Sequence, residues 1–435
     1  MLRRLSNVTG EGNQQMINFL ASIEDMLPLG LDARFFRRSQ RGILELADEI
    51  LRRSGEASGS ALALELIEEY RTLNRDARAA LFEGLLNDYG PDGKRLDTVI
   101  SAYQDDPSPQ TAEGFLKAAE SRRMDLFRLI NTVPGGTRFL IKMREDLFVA
   151  MRDNPELKPV DRDFEHLFGF WFNKGFLELR QLDWETPAYI LEKLIEYEAV
   201  HEIRDWNDLR RRLESDRRCF AFFHPALPGE PLIFVEVALT NGLASSIQSV
   251  LNEPLANPGE RVDTAIFYSI SNCHTGLRSV SFGDSLLKQV VGLLQDEIPS
   301  LKKFATLSPV PGFMRWLSEE DAPLADAVKS IAMTDGSQAL EEHKEQLLRQ
   351  CAKYLLYAKR GIYPSDPVAR FHLRNGAILH AMHWGADTSE SGLRQSAGIM
   401  VNYLYERAKL VNNHEAFVST GMIPSSADIT LLTRP

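Results

Sequence analysis

Two hydrophobic periods divide this chain. Between residues 14 and 154 apolar positions recur every three to four residues, which predicts a succession of amphipathic helices. Residues 42–53 place Ile43, Leu46, Ile50 and Leu51 on one stripe, and residues 61–73 repeat the pattern with Leu64, Ile67 and Leu73. Two further helices are predicted at 115–130 and 138–151, the second with Leu140, Met143 and Leu147 on one face. Pro134-Gly135-Gly136-Thr137 stops one and restarts the next. From Asp205 the texture changes. After a short helical segment at 206–213, residues 218–224 and 232–239 read as strands, joined through Pro225, Pro228, Gly229 and Pro231. In the second of them Ile233, Val235 and Val237 alternate with Phe234 and Glu236, so one face is buried and the other is partly apolar. A hydroxyl-bearing helix at 241–251 and a strand at 265–270 follow. A helix then starts near Asp284, on which Leu287, Val290, Val291 and Leu294 recur at i, i+3, i+4 and i+7. A short β run ending at Ser308, a charged amphipathic cover helix at 339–358 with Leu340, Leu347, Leu348, Cys351 and Leu355, and a strand at 378–384 complete the pattern.

Strands first in hairpins, then a strand, a loop and a helix, define an α/β domain with a mixed sheet. The polar stretch holding Asn154-Pro155 and Lys158-Pro159 reads as a linker. It divides the chain into an N-terminal α-helical bundle, residues 1–157, and an α/β domain, residues 158–435, so the fold class is α+β and multidomain. The aromatic-rich segment 163–176 is expected to pack the junction, with His166 as a structural histidine. No nucleophile–base cluster occurs in the helical half, whose Arg and Glu residues read as solvated helix faces; support and oligomer contacts are its expected role.

The 435 residues and 44% hydrophobic content suffice for two or three cored domains. No apolar run reaches the length of about 18 residues that a membrane helix needs, and the opening MLRRLSNVTGEGNQQ lacks the apolar core of a secretory signal. The ending LLTRP is not the Ser-Lys-Leu address, so the cytoplasm is the expected location. Three scattered cysteines, Cys219, Cys273 and Cys351, suit a reducing compartment and form no disulfide framework. A net charge of −11 disfavours nucleic acid as a partner. An anionic ligand would therefore depend on local donors, with Arg278, Lys288, Lys302 and Lys303 as candidates.

Chemistry concentrates between residues 264 and 316. Arg278-Ser279-Val280-Ser281-Phe282-Gly283, followed by Asp284, is a loop that ends on glycine where a helix begins, so free backbone N–H groups and the helix dipole can face a phosphate. Its spacing is close to the Q/R-x-x-G-x-G/A pyrophosphate loop of acetyltransferase-type acyl-CoA domains, with Ser281 in place of the first glycine. Ser308 sits in FATLSPVP, where Pro309 and Pro311 force a rigid extended turn and give the hydroxyl a fixed direction. It lacks G-x-S-x-G surroundings, so a hydrolase nucleophile elbow is not supported. His380 and His383 point to opposite faces of a strand, and no paired spacing supports a metal. His224 and His274 read as turn residues, and Tyr403 and Tyr405 as core that borders the pocket.

Four blocks in order, HPALPGEPLIFVEVALT (224–240), AIFYSIS (265–271), LSPVPGFMRWL (307–317) and FHLRNGAILH (371–380), resemble the signature blocks of the malonyl-CoA decarboxylase family. The resemblance implies an acetyltransferase (GNAT)-like catalytic domain and decarboxylation of malonyl-CoA to acetyl-CoA and CO2 with no cofactor and no metal. It also implies a homo-oligomer, dimer or tetramer, and a reacting pair of Ser308 as proton acceptor and His372 as proton donor. Loss of CO2 leaves a thioester enolate, whose oxygen needs hydrogen-bond donors and whose C2 needs a proton; a histidine of near-neutral pKa supplies one. Asn375 is a further candidate donor to the carboxylate or thioester oxygen, or else an Asn-Gly turn. Substrate contacts are expected from Arg278, Ser279, Val280, Ser281, Phe282, Gly283 and Asp284. Two alternatives remain at this level: an acyltransferase on the same fold, and a non-catalytic malonyl-CoA sensor.

Overall fold

The computed structural model describes residues 42–52, 56–253, 261–280, 282–334 and 337–434. The chain forms two compact units, divided between Leu73 and Asn74. In the first, helices Ile43–Arg52 and Glu56–Thr72 pack on each other. Leu46, Ala47 and Ile50 are buried in one, and Leu62, Leu66, Ile67 and Tyr70 in the other. Leu64, expected on the buried stripe, is 43% exposed; it lies two residues, about 200°, around the helix from Leu62.

The second unit opens with helices Arg75–Asp88, Gly93–Asp105, Pro109–Ala119, Arg122–Asn131, Gly136–Asp153 and Lys158–Trp171. Side chains cap several starts: Asn74 accepts from the Ala77 N–H, Asp92 from those of Lys94 and Arg95, and Ser108 and Thr111 form a reciprocal box. The single helix expected at 115–130 is two. The chain is extended at Glu120 and Ser121, and the Ser121 hydroxyl donates to Asp163 at 2.6 Å instead of lying along a continuous helix. The stretch expected to be a polar linker is helical: the 3₁₀ turn Pro155–Leu157 runs directly into Lys158–Trp171, with Leu157 and Val160 buried. Both prolines occupy first turns, where the missing N–H has no helical partner to lose.

Ten strands follow: β1 (Glu178–Leu182), β2 (Arg217–Phe223), β3 (Ile233–Thr240), β4 (Thr264–Asn272), β5 (Lys303–Thr306), β6 (Ser308–Pro309), β7 (Lys359–Arg360), β8 (Tyr363–Pro364), β9 (Ile378–His383) and β10 (Met400–Leu404). β7 and β8 form a small ribbon; the other strands make one sheet in the order β1-β2-β3-β4-β5-β10-β6, with β9 also on β10. Strands β1 to β4 are antiparallel, whereas β4 and β5 run parallel. A parallel pair needs a long crossover, and the helix Gly283–Glu297 provides it, burying Leu287, Val290 and Leu294 as its spacing predicts. A helical region followed by a mixed-sheet domain is thus the architecture of the described residues.

One feature of this sheet positions everything else. The β4–β5 pairing ends at Phe267 and Thr306, extended only by the Leu307 N–H donating to the Phe267 carbonyl at 3.1 Å. β6 then follows β10, pairing Ser308 with Val401, while β4 continues with β3 as its only partner among the described residues. Tyr268 is the extra residue of a β-bulge between β3 and β4 at this same point, a feature that increases local twist. The sheet therefore opens between β4 and β6.

Both faces of β3 are buried, more completely than its alternation predicts. Glu236 is buried because Arg212, on the helix Trp206–Arg212, donates to it at 2.8 Å and to the His201 carbonyl at 2.7 Å. Burial pushes the Glu236 carboxyl up to about 7 against the pull of Arg212. Elsewhere the expected helix at 241–251 is confined to Ile247–Asn252. The cover helix expected at 339–358 is a 3₁₀ segment Ser337–His343 and then Lys344–Tyr357, which buries Leu347, Cys351 and Leu355 as its spacing predicts and leaves Glu345, Arg349 and Lys353 exposed. Among the described residues no helix is long and apolar enough to cross a membrane. Replacing Arg212 with Met leaves Glu236 buried without its cation, and we expect a loss of about 3–5 kcal/mol in denaturant unfolding; a loss below about 1 kcal/mol would show that the pair is not needed.

Candidate active site

The opening between β4 and β6 is a cavity of about 530 Å³. Phe267 and Ile270 of β4, Val280 and Phe282 of the following loop, and Phe371 give it a largely apolar wall, into which Ser308 and His372 are set. The two arrive from different directions. Ser308 opens β6 just after the chain leaves β5, and His372 lies on the helix Pro367–Arg374. Asp366 joins them: one carboxylate oxygen caps that helix at the Val368 and Ala369 N–H groups, both at 2.9 Å, and the other faces the Gly312 N–H and the Tyr354 hydroxyl at 3.4 Å. Gly312 is required there, because a Cβ would collide with the Tyr354 hydroxyl.

The Ser308 hydroxyl lies 3.2 Å from His372 Nε2, and His372 Nδ1 lies 2.7 Å from the Tyr405 hydroxyl. The Ser308 hydroxyl donates to Thr306 Oγ1 at 2.8 Å, and that oxygen also accepts from the Tyr403 N–H at 3.2 Å. One sense of donation satisfies every group: Tyr405 O–H to Nδ1, Nε2–H to Ser308, and Ser308 O–H to Thr306. The Tyr403 ring stacks on the imidazole with centroids 4.6 Å apart. Enclosed in this way, His372 is only 3% exposed, and burial lowers its pKa to about 3. The near-neutral value expected from the sequence is therefore corrected: the imidazole is neutral across the working pH range, and the proton it offers is that of Nε2–H.

The loop at 276–280 is braced from the helical region. Arg144, fully buried on the helix Gly136–Asp153, pairs with Asp161 at 2.7 Å and donates to the carbonyls of Gly276 at 3.0 Å and Arg278 at 2.8 Å. Gly276 packs so tightly on that helix that a Cβ would strike the Ile141 carbonyl. Between these anchors and the following helix, Ser279 takes a left-handed conformation, φ 76°, uncommon outside glycine. Ser279, Val280 and Phe282 line the cavity, whereas the Arg278 side chain is exposed and lines a neighbouring recess. Gly283 and Asp284 begin the helix Gly283–Glu297, and Ser281 lies outside the described residues.

Asn375 does not join the pair. Its amide donates to the Phe371 carbonyl at 3.0 Å, it caps the His372 helix, and it lines a separate cavity of about 210 Å³ together with Tyr405. That is the turn alternative. His224 is a turn residue as expected, its Nδ1 accepting from the Ala226 N–H and its Nε2 lying 3.0 Å from the Trp171 carbonyl. His166 is exposed beside Phe170 and is not part of a packed junction. Among the described residues no group of three or more metal-ligating side chains is assembled. Arg144 is not legible in the sequence, because one buried arginine in a helix of mixed charge looks like a solvated face. Thr306 and Tyr405 did leave a trace. Thr306 is two residues from Ser308, and Tyr405 two from Tyr403, the spacing that returns side chains to one face of a strand.

Ser308 and His372 thus meet in a cavity where parallel strands part, beside a loop braced by a buried arginine. Residues 175–435 match the family model for the malonyl-CoA decarboxylase C-terminal domain, and residues 89–172 that for its N-terminal domain. The crystal structure of malonyl-CoA decarboxylase from Rhodopseudomonas palustris is 44% identical, covering 89% of this chain and 98% of that one, with a TM-score of 0.83. That from Agrobacterium vitis is 42% identical, covering 91% and 100%, with a TM-score of 0.85. The mitochondrial malonyl-CoA decarboxylase of Anser anser anser is 34% identical, covering 84% of this chain and 82% of the relative. The chain belongs to the malonyl-CoA decarboxylase family, a family of carboxy-lyases. Replacing Arg144 with Gln should speed amide hydrogen exchange across 276–280 by about tenfold or more, because two loop carbonyls lose charged donors. Unchanged exchange would mean that the loop holds its own shape.

Proposed function

We propose that Ser308 and His372 carry the decarboxylation of malonyl-CoA by this chain, with one proton consumed and acetyl-CoA and CO2 released. The observation that carries this reading is the 3.2 Å approach of the Ser308 hydroxyl to His372 Nε2 inside the cavity where β4 and β6 part. The malonyl carboxylate lies against Ser308, whose O–H turns from Thr306 to donate to it, among apolar walls that favour neutral CO2 over the bound carboxylate. As the C–C bond breaks, its electron pair moves onto the thioester carbonyl and forms the enolate. Nε2–H then gives its proton to C2, and Nδ1 takes one from the Tyr405 hydroxyl, so the imidazole stays neutral overall. Tyr405 also lines the second cavity, a route by which the proton is replaced from solvent without crossing the substrate. The thioester is itself the electron sink. Three free, buried cysteines support a reducing, cytoplasmic setting.

With carboxyl-labelled malonyl-CoA and no added acceptor, CO2 and acetyl-CoA should appear in equal amounts. Ser308→Ala and His372→Asn should each lower turnover by about 10²- to 10³-fold while acyl-CoA still binds. Saturable binding without CO2 release by the unaltered protein would defeat the proposal. Because His372 takes up a proton only near pH 3, kcat/KM should run flat through pH ~6.5, where an ordinary histidine would titrate. An inflection there that disappears in His372→Asn would contradict the buried, neutral donor.

A further inference from the structure

The substrate cavity continues into a second recess of about 380 Å³, with Pro367 and Arg370 lining both. Four arginines line this recess, Arg278, Arg315, Arg360 and Arg370, against one carboxylate, Glu319. They come from four places in the chain: the anion loop, the helix Phe313–Glu320, β7 and the His372 helix. Arg370 is fixed by donating through Nε and Nη2 to the Pro364 carbonyl. The guanidinium groups of Arg278, Arg315 and Arg360 make no ion pair among the described residues. Other surface cations do, as with Lys329 and Asp326, Lys344 and Glu341, and Lys409 and Glu406. In a chain of net charge −11 this concentration of unpaired cations runs against the prevailing sign. Like charges gathered around a concave surface repel one another and raise the local potential for an anion, and guanidinium groups match phosphate oxygens two at a time. Trp316 and Tyr354, with ring centroids 5.3 Å apart, add aromatic surface to the same wall, which suits a purine as well as a phosphate.

We infer that this recess takes the nucleotide end of the acyl-CoA, its 3′-phosphate lying between Arg315 and Arg360, while Arg278 links it to the diphosphate at the anion loop. The inference rests on the malonyl end lying at Ser308 and His372. Arg315 and Arg360 then make the enzyme selective for nucleotide-bearing thioesters, a role separate from the bond-breaking step.

The test compares kcat/KM for malonyl-CoA, malonyl-dephospho-CoA and malonyl-pantetheine, using the full chain and its Arg315→Gln and Arg360→Gln variants. The unaltered protein should prefer malonyl-CoA over the dephospho substrate by about ten- to hundredfold, mainly through KM. Each variant should shrink that ratio by about tenfold, and adenosine 3′,5′-bisphosphate should compete less well in both. A ratio kept intact in the variants would overturn the inference. So would inhibition by inorganic phosphate as strong as that by the bisphosphate, the mark of a general anion site. Because each ratio compares two substrates on one preparation, partial unfolding cannot imitate the result. The decarboxylase reading is judged separately, by whether malonyl-pantetheine still releases CO2 in the unaltered protein and stops doing so in Ser308→Ala.

Discussion

The constraint on which the structure depends is the short parallel contact between β4 and β5. Two strands that run parallel over four residue pairs and then part cannot satisfy each other's remaining backbone groups. β6 meets this need by turning onto β10, and β4 by keeping β3, with the bulge at Tyr268 adding twist where the separation begins. The space left between them is therefore fixed by backbone pairing rather than by loops. Ser308 is the first residue past the parting, so its hydroxyl is aimed by the sheet itself.

Buried charge joins the pieces that the sheet leaves apart. Arg144 ties the helical region to the loop at 276–280, Asp366 ties the Ser308 turn to the His372 helix, and Arg212 ties a peripheral helix to β3. Each of these groups reaches two or more partners across separate elements, which directs assembly more narrowly than apolar contact. Burying an ion favours only the arrangement that supplies its partners. The left-handed backbone of Ser279 persists in this setting, where a looser loop would relax it.

His372 shows how environment changes the role of a residue. On helix Pro367–Arg374 it is enclosed by Tyr403, Tyr405 and Ser308, and its charge is suppressed by the loss of water. A neutral imidazole with a hydrogen-bond partner at each nitrogen can give a proton on one side and take one on the other. A charged imidazole could not. The two cavities meet the histidine through different partners, Ser308 on one side and Tyr405 on the other.

The sequence by itself determined helices from residue 43 onward, strands expected at 218–224, 232–239 and 265–270 and found at 217–223, 233–240 and 264–272, the crossover helix and the serine turn, because periodicity and proline placement act locally. Ser308 and His372 entered as candidates through the resemblance of four ordered blocks to a known family. Local pattern misplaced the break at Glu120–Ser121 and read the 154–159 prolines as a linker, because a helix start and a linker use the same residues. Only the tertiary structure decided that Arg144 braces the loop, that Tyr405 meets the histidine, that burial suppresses the charge of His372, and that four distant arginines share one recess. Those are outcomes of burial and of long-range approach, which depend on how the elements pack and leave little trace in the order of residues.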